Sequence, residues 1–202
     1  VIASSDMKNI IDQTPRDVLR NMIKFSTMYL PDHDIKNKNV LDIGCGYGWF
    51  EIYAMEKGAK SVVGTEITLS DLVTAKKYVR DPRVRFMVGD ATQLPFKNNF
   101  FDTVVTWEVL EHIPKNTEVT MFSEIKRVLK RGGACYLSTP HRSFWSVLLD
   151  PAFWLAGHRH YGRTDIVRFA KEAGLELSDF RIIGGVWLSL YMLNLYIAKW
   201  FF

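Results

Sequence analysis

Cysteine is nearly absent from the 202 residues: only Cys45 and Cys135 occur, ninety positions apart. Two cysteines so placed supply neither a disulfide framework nor the clustered ligands of a structural zinc site. No block of one charge stands out either. The 26 basic and 22 acidic residues give a formal net charge of +4 and are scattered, which permits contact with nucleic acid without indicating it. Low-complexity tracts and internal repeats are missing too. With 48% hydrophobic and 24% charged residues, long disordered stretches are excluded and a single folded domain is expected. No basic and apolar leader opens the sequence as given, so a reducing cytoplasm is the expected setting.

What is present is a rhythm of short apolar runs and helical stretches. Pro15 to Leu30 spaces Val18, Met22, Phe25 and Tyr29 as on one helix face, between two prolines that suit its start and end. Strands are predicted over 39–43, 61–67, 83–88, 101–106, 134–139 and 175–183. Helices are predicted over 49–57, 70–79, 117–130 and 164–173, with Gly132 and Gly133 stopping the third of these. This alternation predicts an α/β fold: a Rossmann-like, doubly wound, mostly parallel sheet with helices on both faces. Four stretches follow within one domain: a helical cover over 1–38, a core over 39–140, an aromatic insertion over 141–163, and a last helix, strand and apolar tail over 164–202.

In such sheets ligands sit beyond the carboxyl ends of the strands, where strand order reverses. The first strand runs straight into Gly44-Cys45-Gly46-Tyr47-Gly48, a turn whose glycines permit positive φ and bring a ligand close to the backbone at a helix start. A dinucleotide fingerprint is G-x-G-x-x-G, yet here the third glycine arrives one position early and Trp49 stands in its place. The second strand ends at Glu66, a carboxylate placed to accept hydrogen bonds from ribose hydroxyls. The third ends at Asp90, placed to take an amino group. Taken singly, each is equally a tight turn, a surface acid or a cap.

In combination, VLDIGCGYG at 40–48, VVGTE at 62–66, VGDATQLPF at 88–96, FDTVVTWEVLEHI at 101–113 and LKRGGACYLSTP at 129–140 resemble the class I S-adenosylmethionine-dependent methyltransferases. The resemblance is to the broad "type 11" subgroup that includes quinone and other small-molecule methyltransferases, and it covers about half of the chain. It implies S-adenosyl-L-methionine as cofactor. By that likeness Asp42, Gly44, Cys45, Gly46 and Gly48 shape the methionine end, Glu66 holds the ribose, Asp90 and Ala91 hold the adenine, and Thr106 and Trp107 approach the methionyl group. Two departures stand out. Arg131 replaces the usual proline before the double glycine, and the final antiparallel strand is not visible, since Leu193 to Trp200 suits either a strand or a helix.

The sulfonium is already an activated methyl donor, so a protein of this kind mainly aligns the acceptor and keeps water out. A base helps when the acceptor is a hydroxyl, and four of the five histidines follow the fourth and fifth strands. His112 and His160 are the candidate catalytic bases. His141, His158, Tyr161, Trp154 and Tyr191 are the candidates for binding the acceptor. Glu108, Glu111 and His112 share a helix face at i, i+3, i+4 and suit a divalent ion, but the same letters suit an acid-rich helix start, and no metal is assigned. The aromatic insertion and the tail, whose only charge from Ile182 to Phe202 is Lys199, predict an apolar or lipid-linked small-molecule acceptor, with peripheral membrane contact as the accompanying expectation. RNA or protein methylation, or a noncatalytic cofactor-binding subunit, are the alternatives.

Overall fold

The structure is a computed structural model that describes residues 22–187, 189, 190 and 193. The first half of the expected amino-terminal helix, and Tyr191 with most of the apolar tail, lie outside these residues. The described part of that helix is α1 (Met22–Thr27). Next come β1 (Asn39–Ile43), α2 (Trp49–Glu56), β2 (Ser61–Glu66), α3 (Leu69–Tyr78), β3 (Val84–Val88), β4 (Phe101–Trp107), α4 (Glu118–Val128) and β5 (Leu129–Ser138). After them stand α5 (Phe144–Leu148), α6 (Pro151–Ala156) and α7 (Arg163–Glu172).

The five strands form one sheet in the order β3-β2-β1-β4-β5, and every pairing is parallel. The order reverses between β1 and β4, which makes their carboxyl ends the crevice where a ligand belongs. Side-chain alternation splits the core between the two faces of the sheet. Leu41, Ile43 and Val104 pack with Met121, Phe122 and Ile125 of α4 and with Ile166 and Phe169 of α7. Val40, Val62 and Val105 face the other way, onto Phe50 and Ala54 of α2. A strand with both faces covered must be apolar throughout, and β1 is buried from Val40 to Ile43 with Asp42 as its single charged member.

Two expectations need correction. The helix over 117–130 ends at Val128, and the double glycine does not stop it. Gly132 and Gly133 instead lie inside β5, where the register jumps: Phe101 pairs with Leu129 but Thr103 pairs with Ala134. Gly132 takes a positive φ of 75° there, and a β-carbon on Gly133 would fall 2.7 Å from the carbonyl oxygen of Asp102. The pair therefore makes a bulge against β4. The second correction concerns 175–183, which forms no strand. Leu175, Leu177 and Phe180 pack on the core as partly buried side chains of an irregular segment, so its alternation of apolar residues records packing without a ladder. In the tail, Gly185–Trp187, Ser189, Leu190 and Leu193 are helical. No helix among the described residues is long and apolar enough to cross a membrane.

Candidate active site

The turn after β1 is built by its glycines. Gly44, Gly46 and Gly48 have φ of 75°, 51° and 86°, the left-handed region that glycine enters without steric cost. The amides of Gly44 and Cys45 both donate to the carbonyl oxygen of Thr65, at 2.8 and 2.9 Å, tying the turn to β2. Gly48 then opens α2 as its N-cap. The result is a cleft of about 220 Å³ whose floor is Asp42, Gly44, Cys45 and Gly46. Ile23 of α1, Tyr47, Trp49, Asp71 of α3 and Trp107 complete its walls. None of Ile23, Trp49 or Asp71 was legible as a site residue, because each comes from a different helix and only folding brings them to one cavity.

Glu66 and Asp90 stand further along the same edge of the sheet, at the ends of β2 and β3. Glu66 accepts from the amide of Gly46 at 3.1 Å and, through its other oxygen, from the amides of Ile67 and Thr68. Asp90 accepts from the amide and the hydroxyl of Thr92, both at 2.7 Å. Ala91 is buried beside it. Thr106 is fully buried in β4 and its hydroxyl has no partner, whereas Trp107 reaches the cleft with an unpaired indole N–H.

Beneath the turn lies an acid that sequence reasoning missed. Glu51 of α2 is wholly buried and neither of its carboxyl oxygens has a partner. A β-carbon on Gly64 would fall 2.3 Å from that carboxyl, so the glycine of β2 is what leaves room for it. Burial pushes the Glu51 carboxyl up to about 8. Burial, with the charges of Glu51 and Glu66 adding to it, also holds Asp42 well above the usual carboxylate range.

A second cluster forms where the segment after β4 meets the insertion. The ends of the insertion pair: the amide of Arg142 donates to the carbonyl of Tyr161 at 3.0 Å, and that of Tyr161 to the carbonyl of Pro140 at 2.9 Å. Arg159 then clamps it onto the segment after β4, donating to the carbonyls of Leu110 at 2.9 Å and Ile113 at 2.5 Å. This clamp brings His158 to His112, with 3.3 Å between their Nε2 atoms. Asp150 binds both insertion histidines, with 3.0 Å to His158 Nδ1 and 2.8 Å to His160 Nε2. Asp150 was also missed, although Asp150-Pro151 is a readable helix start: the aspartate caps α6 by accepting from the amide of Ala152 at 2.9 Å.

The predicted acceptor-side residues separate once placed. His112 is solvent exposed, and burial of part of its ring lowers it to about 4. His160 is buried with one ring nitrogen on Asp150 and the other on the carbonyl of His141, which leaves it no nitrogen for an acceptor. Tyr161 is buried as well, and its hydroxyl donates to Leu110 O or Glu118, a structural position. Trp154 is exposed, with its indole N–H on the carbonyl of Val147. His141 lines a separate groove with Arg163, Leu177, Phe180 and Ile182. Glu108 takes a positive φ of 55° at the end of β4 and accepts from the hydroxyl of Ser138 at 2.6 Å. Burial raises both Glu108 and Glu111.

A five-stranded parallel sheet with a glycine turn at its switch point and acids at the ends of its next two strands defines the class I, Rossmann-like methyltransferase fold. The methyltransferase domain family matches residues 40–133. A tRNA U34 carboxymethyltransferase of Pseudomonas paraeruginosa is 32% identical over 112 residues, 54% of this chain and 34% of that protein. The norajmaline N-methyltransferase of Rauvolfia serpentina is 31% identical over 126 residues, 60% of this chain and 42% of that protein. The chain thus spans less than half the length of these two relatives. A crystal structure of an S-adenosylmethionine-dependent methyltransferase from Mesorhizobium loti superposes with a TM-score of 0.63 at 19% identity, over 75% of this chain and 79% of that one. Residues 40–133 are therefore a methyltransferase domain, the fold is that of class I S-adenosylmethionine-dependent methyltransferases, and S-adenosyl-L-methionine is the cofactor such a domain uses. The cleft fits such a group, because Asp42 Oδ1 and Trp107 Nε1 are buried at its wall with no partner from the protein.

Proposed function

We propose that this chain transfers the methyl group of S-adenosylmethionine to an apolar or lipid-linked small-molecule acceptor. Bound in the cleft, the cofactor supplies an activated methyl group on a sulfonium. Asp42 and the backbone of Gly44, Gly46 and Gly48 hold its methionyl end, beside Trp107. Glu66 holds the ribose hydroxyls, and Asp90 with Ala91 the adenine. The acceptor enters on the side of His112 and His158, whose ring centroids lie 4.7 Å apart.

The observation that carries the acceptor class is the surface of the insertion. Phe144 is 72% exposed, Trp154 63% and Leu155 66%, with Trp145 and Leu148 about half exposed between them. Large apolar side chains left together in water cost free energy that an apolar ligand or a lipid surface recovers. They sit on the same insertion that carries Asp150, His158 and His160, which couples an apolar surface to the histidine cluster.

Labelled S-adenosylmethionine, incubated with the purified chain and separately with a lipid extract, a small-molecule extract and tRNA, tests the reading. Label in the organic-soluble products supports it. Label confined to tRNA overturns the apolar acceptor, as the relative that is a tRNA U34 carboxymethyltransferase would suggest. Cofactor binding without labelled product in any fraction leaves a noncatalytic binding subunit and overturns the enzyme.

A further inference from the structure

Behind the floor of the cleft stands a group of acids with no base among them. Glu51 Oε1 and the side chain of Cys45 crowd the same face of Gly64: a β-carbon there would fall 2.3 Å from the first and 2.9 Å from Cβ and Sγ of the second. Cys45 and Asp42 in turn form the floor itself. We propose, resting on the reading of this cleft as the S-adenosylmethionine site, that Glu51 sets its preference for the cationic cofactor over the demethylated product. Glu51 does so by releasing its proton to solvent when the sulfonium binds and keeping it when the uncharged thioether binds.

Both oxygens of Glu51 and Oδ1 of Asp42 are buried without a hydrogen-bond partner from any other residue. A buried acid that serves only the fold is ordinarily satisfied by a cation or by amides. Here the charges acting on Asp42 are those of Glu51 and Glu66, and those acting on Cys45 are Glu51, Asp42 and Glu66. The surrounding elements therefore present Asp42 from β1, Cys45 from the turn and Glu66 from the end of β2, with Asp71 of α3 on the cleft wall. Thr106 and Trp107 of β4 add no charge. Among the described residues, no basic side chain acts on either buried acid. A cleft so built lacks one positive charge.

Burial holds the Glu51 proton up to about 8. A cation brought to the cleft favours the ionised carboxyl, and the attraction is strong where water is excluded. Glu51 also lies in the first turn of α2, where the helix dipole eases a negative charge. The cofactor and its product share their amino, carboxyl, ribose and adenine groups and differ by one methyl group and one charge on sulfur. A carboxyl behind the floor, touching neither ligand, can separate them only through that charge.

Calorimetry on the full chain, with S-adenosylmethionine and separately S-adenosylhomocysteine in two buffers of different ionisation enthalpy, counts the protons released on binding without any turnover. Near about pH 7 the cationic ligand should release most of one proton and the product much less. Binding that releases a proton strengthens as pH rises, so the ratio of cofactor to product affinity should climb roughly 5- to 30-fold from about pH 6 to about pH 7.5. In E51Q the release should fall to near zero, and the ratio should stay within about 2-fold across that window, meeting the wild-type value at its acid end. Each ligand's own amino group titrates alike with either protein, so the difference between proteins belongs to Glu51. Circular dichroism shows whether E51Q is folded, and if it is not, the wild-type proton counts decide alone. Equal release for the two ligands, or an E51Q chain that keeps the wild-type count and pH-dependent ratio, overturns this role of Glu51 and leaves the cofactor site standing. A wild-type chain that binds neither ligand overturns both.

Discussion

Gly44 and Val109 touch so closely that no β-carbon fits between them: one built on Gly44 would fall 2.3 Å from Val109 Cγ2. This contact joins the glycine turn after β1 to the segment after β4 that carries Glu111 and His112. Through it, the candidate cofactor cleft and the histidine cluster share one packed wall across the point where strand order reverses.

G44A should therefore fail for two separable reasons, the clash and the positive φ of 75°. Left-handed backbone costs a non-glycine residue about 1–2 kcal/mol, and overpacking costs about 1–3 kcal/mol more. Removing Cγ2 with V109A leaves Val109 Cβ at 3.4 Å from the new β-carbon, so the double variant should regain the steric part only. Denaturant unfolding of the four proteins in the cycle checks this. Additive costs would mean that the contact does not govern the turn.

Glu66 serves the turn and the proposed ribose site together, since one oxygen already accepts from the amide of Gly46. E66A should weaken binding of S-adenosylmethionine by about 1–3 kcal/mol, roughly 5- to 150-fold, through lost charged hydrogen bonds. Calorimetry reads the affinity directly, and a value equal to that of the wild type would remove Glu66 from the site.

The buried Glu51 carboxyl sets a pH dependence of stability. The unfolded chain releases this proton near 4.5, whereas the folded chain holds it up to about 8. Between those values the folded state binds more protons, so stability falls as pH rises. The contribution is complete below about 4.5 and fully lost above about 8. E51Q removes the titration: its stability should be flatter across that window, with a gain over wild type of about 1–3 kcal/mol at the alkaline end. Melting temperatures of both proteins at the two ends of the window decide, and parallel curves would show that Glu51 ionises without cost.

The exposed aromatic surface of the insertion gives the fourth expectation. F144A combined with W154A should abolish flotation with liposomes and weaken turnover of an apolar acceptor, while leaving cofactor affinity within about 2-fold, because neither side chain lines the cleft. Retained flotation together with unchanged acceptor kinetics would detach this surface from acceptor recognition.

The strands from β1 to β4 were legible within a residue or two, because a parallel sheet covered on both faces needs continuous β-branched apolar runs and has few other ways to be built. The glycine turn was legible for a similarly local reason, since positive φ at three alternating positions requires glycine. Leu175 to Ile183 misled because partial burial against a helix produces the same alternation as a strand edge. The double glycine misled because a helix stop and a β-bulge ask for the same residue.

Sequence alone thus determined strands β1 to β4, the turn after β1, and the carboxylates at the ends of β2 and β3, all of them set by local backbone geometry and by the period of burial. Only the tertiary structure decided which histidine faces outward and which is locked away. His112 and His158 are 46 positions apart, and their meeting depends on the Arg159 clamp and the paired ends of the insertion. Such contacts carry no local period, because they are fixed by where the chain returns and not by how any one segment repeats.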